Sequence, residues 1–221
     1  MSASAPTGRF LTGRFIVFEG GEGAGKSTQA RRLAQDLAAR GIGAVLTREP
    51  GGTPGAEAIR NLLLSTDGAG WGARAEALLF AAARADHVER LIRPALARGD
   101  WVICDRFIDS SRAYQGGGNG LSDAEVMALH AIGSEGLLPD CTILLELPAE
   151  EAAARCAVRD QGQADRIGGR DAAYHARVAA AFEGFAQVDP ARFARVSALG
   201  TPEDVAARIA QVLARWMPPS C

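Results

Sequence analysis

Hydrophobic and polar positions fall into two alternating kinds of segment along this chain. Five short apolar runs occur at Phe15–Phe18, Ala44–Thr47, Trp101–Cys104, Thr142–Leu145 and Phe193–Val196. Between them lie longer stretches whose apolar residues recur every three or four positions, at about Ser27–Arg40, Pro54–Ser65, Ala73–Arg98, Asp123–Ser134, Ala149–Arg159, Ala172–Phe185 and Pro202–Trp216. The first kind predicts strands buried on both faces and the second amphipathic helices. Ser122 with Glu125 fits a capping box, and Thr201 before Pro202 fits an N-cap followed by the first helical position. Strands alternating with helices imply an α/β fold of three layers around a five-stranded parallel sheet. Such sheets bind ligands beyond the carboxyl ends of their strands. Glu19, Arg48–Glu49, Asp105–Arg106 and Glu146 fall at or just past those ends.

A length of 221 residues and an ordinary apolar content suit one compact domain, expected over 10–217 after a short mobile leader at 1–9. The formal net charge of -2 gives no electrostatic case for nucleic acid or a membrane surface as a partner. Cys104, Cys141, Cys156 and Cys221 form no C-x-x-C pair, and His87, His130 and His175 show no ligand spacing with them. Reduced thiols and packing histidines are expected, without zinc. The N-terminus lacks the apolar core of a secretory signal, and no apolar run approaches the ~20 residues that span a bilayer. A cytoplasmic protein is expected.

Chemistry concentrates first in Gly20-Gly21-Glu22-Gly23-Ala24-Gly25-Lys26-Ser27, followed by Thr28. Lys26 is the only lysine in the chain; every other basic side chain, apart from histidine, is arginine. A Gly-x-x-x-x-Gly-Lys-Ser loop between a strand and a helix wraps backbone N–H groups around phosphates, and a compact ammonium reaches the β- and γ-oxygens. The unpartnered amides of the following helix complete an anion site. Nucleoside triphosphate binding follows. With no second lysine, a guanine-specific Asn-Lys-x-Asp segment is impossible.

Three further segments point to a small phosphorylated acceptor. Thr47-Arg-Glu-Pro-Gly-Gly-Thr53 follows the second strand, although Pro-Gly-Gly is turn chemistry in its own right. Asp105 and Arg106 end the third strand, where the acid can hold magnesium and the guanidinium can grip a phosphate bidentately; a surface ion pair is the plainer reading. Ser110-Ser111-Arg-Ala-Tyr114-Gln115-Gly-Gly-Gly118 is polar with one aromatic.

Together these residues resemble the thymidylate kinase family. The likeness rests on five ordered motifs: the phosphate loop from Glu19 to Ser27, Thr47 to Thr53, Leu78-Leu-Phe80-Ala-Ala-Ala-Arg84, Asp105-Arg-Phe107, and Ser111-Arg-Ala-Tyr114-Gln115-Gly116. The resemblance implies a P-loop nucleoside-monophosphate-kinase-like fold and phosphoryl transfer from ATP to dTMP. It implies that ATP is the donor, that Gly20 to Ser27 hold its phosphates, that Lys26 neutralises charge on the transferring group, and that Ser27 faces the magnesium, with Asp105 as the second candidate ligand. Phe80 would stack on thymine and Arg84 would bond its carbonyl edge; spacing alone is equally compatible with Phe80 as core. Arg106, with Arg48, would clamp the acceptor phosphate. Ser110, Ser111, Tyr114 and Gln115 would line the base and sugar pocket, and Glu22 would sit near the 3′-hydroxyl and the metal.

In this family one more arginine comes from the phosphate loop or from a mobile lid. Gly21 to Ala24 hold no base, so the task falls to a lid at about 155–170, with Arg159 and Arg166 as candidates; solvated surface charge is the alternative. The family commonly reads Asp-Arg-Ile-Glu there, whereas this chain has Asp165-Arg166-Ile167-Gly168. The resemblance also implies a homodimer. Apolar residues of Ala73–Arg98, among them Leu78, Leu79, Val88, Leu91 and Ile92, suit a subunit interface or the core equally. A kinase for another nucleoside monophosphate or small metabolite, or a non-enzymatic ATP switch, are the alternatives in function.

Overall fold

The computed structural model describes residues 13–160 and 165–217, with the side chains of 159 and 160 excepted. The expected leader at 1–9 lies outside the described residues, as does Cys221. The five apolar runs become strands β1 (Phe15–Glu19), β2 (Ala44–Arg48), β3 (Trp101–Asp105), β4 (Cys141–Glu146) and β5 (Phe193–Ser197). They form one parallel sheet in the order β2-β3-β1-β4-β5.

Because side chains alternate along a strand, β1 serves two cores at once. Ile16 and Phe18 pack with Leu33, Leu37, Ile209 and Leu213 of helices α1 (Lys26–Ala39) and α9 (Pro202–Leu213). Phe15 and Val17 face Val88, Ile92, Phe107 and Val126 on the other side. There the long predicted helix runs as α3 (Ala73–His87), a π-helical turn at Val88–Ile92 and α4 (Arg93–Ala97), with α6 (Asp123–Ser134) beside it. A third cluster joins Leu144 and Phe193 to Tyr174, Val178 and Phe182 of α8 (Ala172–Val188). Phe15, Ile16, Val17 and Phe18 are all buried, so this central run is two-faced because helices cover both sides of the sheet, whereas the edge strands β2 and β5 are partly exposed.

Local signals set the element ends. Ser122 and Glu125 make a reciprocal capping box on α6, and Thr201 with Asp204 makes another on α9, where Pro202 takes the first turn. Thr53 caps α2 (Pro54–Leu64) by accepting from the Ala56 amide. Asp171 caps α8 by accepting from the Tyr174 amide. The segment after β3, read from sequence only as polar, is helical: α5 (Ile108–Ser111) leads into a wider π turn at Arg112–Gly118. Its glycines and serines hide that helix from propensity, and packing of Tyr114 against α8 supplies what propensity does not. Helix α7 (Ala149–Asp160) ends the described part before residue 165.

Candidate active site

The chain reverses direction across the sheet beside β1, which pairs with β3 on one edge and β4 on the other. The loop leaving β1 therefore enters the crevice where α/β sheets take ligands. Gly20, Gly23 and Gly25 have φ of 132°, 72° and 87°, values that a side chain rarely tolerates. A Cβ on Gly23 would stand 2.7 Å from the Ala152 carbonyl oxygen. Gly25 precedes α1 in a left-handed conformation and no side chain caps that helix, so its first-turn amides remain available to an anion.

Lys26 folds back over the loop. Its ammonium donates to the Gly20 oxygen at 3.1 Å and to the Gly21 oxygen at 2.7 Å. Burial and the neighbouring Arg106 push its pKa down to about 8, against the opposing pull of Glu22, Asp105 and Glu19. Arg106 reaches the same Gly20 oxygen at 3.4 Å, pairs with Glu22 at 2.5 Å and bonds the Ser110 hydroxyl at 3.1 Å. Burial opposes its charge, yet Tyr114, Glu22, Asp105 and Glu19 more than compensate and raise its pKa further. Arg106 also holds a φ of 70°, strain that a non-glycine residue keeps only where its surroundings fix it.

Those surroundings are visible. Glu19, fully buried at the end of β1, accepts from the Phe107 amide at 2.8 Å, the Ser110 amide at 3.0 Å and the Ser110 hydroxyl at 2.6 Å. It thereby pins the turn on which Arg106 sits. Burial, with Asp109 nearby, lifts the Glu19 pKa to about 7.

Asp105 and Ser27 meet through a hydrogen bond from the Ser27 hydroxyl to Oδ2. The other carboxylate oxygen, Oδ1, is buried without a hydrogen-bond partner among the described residues. An acid with one orphaned oxygen beside the phosphate loop fits a magnesium ion that takes most of its remaining ligands from phosphates and water.

A cavity of about 630 Å³ opens from this cluster. Glu22, Gly23, Gly25, Lys26, Ser27 and Thr28 line one end; Phe80, Arg84, Phe107, Ser111, Tyr114 and Gln115 line the other. Arg48, Asp105, Arg106 and Ser110 also face it. Gly20, Gly21 and Ala24 form the loop's back and do not line it. Arg84 is almost wholly buried and donates to Glu49 at 2.8 Å and to the Ser111 hydroxyl at 2.7 Å. Glu49 also accepts from His87 Nδ1 at 3.1 Å, while His87 Nε2 meets the Thr47 hydroxyl at 2.7 Å. The Thr47–Thr53 loop, which contains a cis Glu49–Pro50 peptide, thus holds Arg84 in place. Phe80 is half-buried, packed beside the third core cluster with part of its surface in the cavity. Tyr114 lies under the Arg106 guanidinium, 5.0 Å from ring centre to carbon, and its buried hydroxyl has no hydrogen-bond partner among the described residues.

The lid candidates stand apart. Arg166 donates to the Ser65 oxygen at 2.6 Å and the Asp67 oxygen at 2.7 Å, on the loop between α2 and α3, and does not line the cavity. The Arg159 side chain lies outside the described residues. Arg155, Asp165 and Ile167 of the same segment do line it. Arg60 was not anticipated. It lines the cavity from α2, half-buried, donating to the Pro50 oxygen at 2.7 Å. Burial and Arg48 lower its pKa. A single arginine in an amphipathic helix reads as solvated surface, so no spacing could have singled it out.

A phosphate cradle at one end of a cavity and an aromatic-plus-guanidinium wall at the other define a P-loop kinase acting on a nucleoside monophosphate. The family model described as thymidylate kinase matches residues 18–209. The thymidylate kinase of Rhizorhabdus wittichii is 57% identical over 208 residues, covering 94% of this chain and all of that protein. That of Gluconobacter oxydans is 52% identical, covering 91% and 94%. The crystal structure of thymidylate kinase from Ehrlichia chaffeensis matches with a TM-score of 0.74 at 32% identity, covering 91% of this chain and 98% of that one. The chain belongs to the thymidylate kinase family.

Proposed function

We propose that this protein transfers the γ-phosphoryl group of ATP to dTMP, giving dTDP and ADP on the way to dTTP. The observation that carries this reading is the meeting of Lys26 and Arg106, which both line a single cavity with the phosphate loop and the Phe80–Arg84 wall, on one carbonyl behind it, Gly20 O. Two phosphorylated nucleotides entering from opposite ends would bring their phosphates together there.

In this reading the α1 amides and the loop from Gly20 to Thr28 bind ATP, and Lys26 leaves its carbonyl partners to follow the transferring group. Arg106, assisted by Arg48 and the newly identified Arg60, holds the acceptor phosphate in line. The dTMP phosphate is already an anionic nucleophile near neutral pH, so no general base is required. Phe80 supplies a stacking face, Arg84 donates to a base carbonyl, and Ser110, Ser111, Tyr114 and Gln115 shape the sugar and base pocket. Glu22, paired with Arg106, lies where the 3′-hydroxyl would come. Ser27 and Asp105 would hold Mg²⁺, which neutralises charge on the β- and γ-phosphates when bound. The segment 155–170 is assigned to a lid within a single domain spanning 10–217, with Arg159 and Arg166 reaching the phosphates only after it shifts. Arg155, which already faces the cavity, joins them as a candidate.

A homodimer is part of the reading. Val88 and Ile92 are core residues, which leaves Leu78 on α3, more than half exposed, and Ile132 on α6, 83% exposed, as apolar groups for a partner copy. No helix among the described residues is long and apolar enough to cross a membrane, and a cytoplasmic site of action goes with the proposed substrates.

A coupled ADP-release assay across dTMP, dUMP, CMP, UMP, AMP and GMP tests the function. Turnover led by dTMP is expected. Faster turnover with a purine or ribonucleotide acceptor would move the protein to another substrate, and acceptor-independent behaviour would remove the kinase reading.

A further inference from the structure

Glu76 on α3 is 2% exposed and does not itself line the cavity, yet it gathers three donors from two other parts of the chain. Its Oε1 accepts from Gln115 Nε2 at 2.9 Å and from Asn119 Nδ2 at 2.9 Å. Its Oε2 takes the Arg170 guanidinium, whose other nitrogen donates to Asn119 Oδ1 at 2.9 Å and to the Tyr174 hydroxyl. Tyr174 in turn donates to the Tyr114 backbone oxygen at 3.0 Å. The hub therefore joins α3, the π turn at Arg112–Gly118 and the segment leading into α8.

An ionised carboxylate only accepts hydrogen bonds. Both amides that touch Glu76 must turn their nitrogen toward it, because a carbonyl in that place would face a buried negative charge. Arg170 supplies the positive partner of that carboxylate. Gln115 is nearly fully buried and lines the base end of the cavity. With its nitrogen engaged by Glu76, its carbonyl is the end left for a ligand.

We propose that Glu76 is a positioning residue for base specificity: by fixing the Gln115 amide it offers the acceptor base a carbonyl rather than an N–H. This rests on the dTMP reading above and deepens it. A carbonyl from Gln115 and donors from Arg84 match a pyrimidine with an N3–H beside a ring carbonyl, as in thymine or uracil. Cytosine presents the reverse, an unprotonated N3 beside an amino group, and meets like against like at both positions. A site built on fixed polar groups rejects such an analogue because its buried groups are left unpaired.

Glu76→Gln tests this. The new amide can either donate or accept, so Gln115 is free to turn over. The ratio of kcat/KM for dTMP to that for dCMP is expected to fall at least about tenfold, with dTMP KM raised and dCMP turnover gained. KM for ATP should stay close to wild type, while the melting temperature falls because Arg170 loses its charge partner. In a Gln115→Met background, Glu76→Gln should change the ratio no further, since the group it orients is gone. Gln115→Met alone leaves Glu76 with its other partners and must itself lower the ratio, so the claim stays testable if Glu76→Gln folds poorly. An unchanged ratio in either folded variant, or a loss confined to ATP affinity, overturns the proposal. A wild-type protein inert toward dTMP but active on another acceptor would overturn the functional reading instead, and this inference with it.

Discussion

Arg106 carries three burdens at once: a left-handed backbone, a buried charge and contact with the phosphate loop through both Glu22 and Gly20. Its turn is held by Glu19 from below, so removing the guanidinium leaves the backbone in place. Arg106→Ala should lower kcat/KM for dTMP by at least about a hundredfold, a loss of about 2.7 kcal/mol of transition-state stabilisation. Circular dichroism should show an intact fold. Wild-type turnover in folded Arg106→Ala would remove its assigned role. The importance of this residue was legible from its place after an apolar strand. The Glu19 support was visible only as an acid at the strand end, because its three donors come from positions 107 and 110. Arg60 was not legible at all, since only the fold turns that face of α2 toward the cavity.

Two buried groups give a pH signature. Burial lowers the His130 pKa to about 4, and its Nε2–H donates to the Leu137 oxygen while Nδ1 is buried without a partner. The stability this contributes is present above its unfolded pKa near 6.5 and is lost as pH falls toward 4. Glu19 runs the other way. Its folded pKa of about 7 exceeds its unfolded 4.5, so its contribution is full at low pH and lost as pH rises through 7. Each slope is at most about 1.4 kcal/mol per pH unit, and the two oppose each other between about 5 and 6.5. His130→Gln keeps the donor to Leu137 and removes one side of the balance. Its melting temperature should fall as pH rises from 5 to 7, while wild type stays flatter; matching profiles would contradict this account.

At the scale of elements, helix starts were the most legible feature because they depend on neighbours in sequence. The Ser122–Glu125 box formed where the residues indicated, and Thr201 caps α9 before Pro202 as expected, with Asp204 adding a reciprocal bond not anticipated from the sequence. Thr201→Ala should cost about 1 kcal/mol in urea denaturation and leave dTMP turnover unchanged, since no residue of α9 lines the cavity. A drop in turnover would show that α9 influences the site. Less legible were the π turns at Val88–Ile92 and Arg112–Gly118, which widen a helix only where tertiary contacts demand it. The Arg166 anchorage to loop carbonyls at Ser65 and Asp67 was equally hidden, because a charged residue in a polar, glycine-rich stretch carries no sign of its partner.

For the whole molecule, the order of apolar runs and helical stretches was enough to give a parallel five-stranded sheet, since the strands are short and successive ones are joined through helices. Only the central β1, β3 and β4 are buried on both faces, while the edge strands β2 and β5 are partly exposed. The subunit interface was not separable from core by pattern. Packing now divides the long helix into buried Val88 and Ile92 and exposed Leu78. Leu78→Arg should shift the mass found by light scattering from dimer to monomer at micromolar concentration, with the fold retained. A wild-type monomer would remove the dimer from the account.

The central claim is that two nucleotides meet phosphate to phosphate between the glycine loop and the Phe80–Arg84 wall. A crystal structure with dTMP and a non-hydrolysable ATP analogue tests it most directly. The account predicts the pyrimidine against Phe80, its edge toward Arg84 and Gln115, and its phosphate on Arg106 facing the nucleotide held by Lys26. A pyrimidine bound away from Phe80 and Arg84, or a dTMP phosphate out of reach of Arg106, would contradict it.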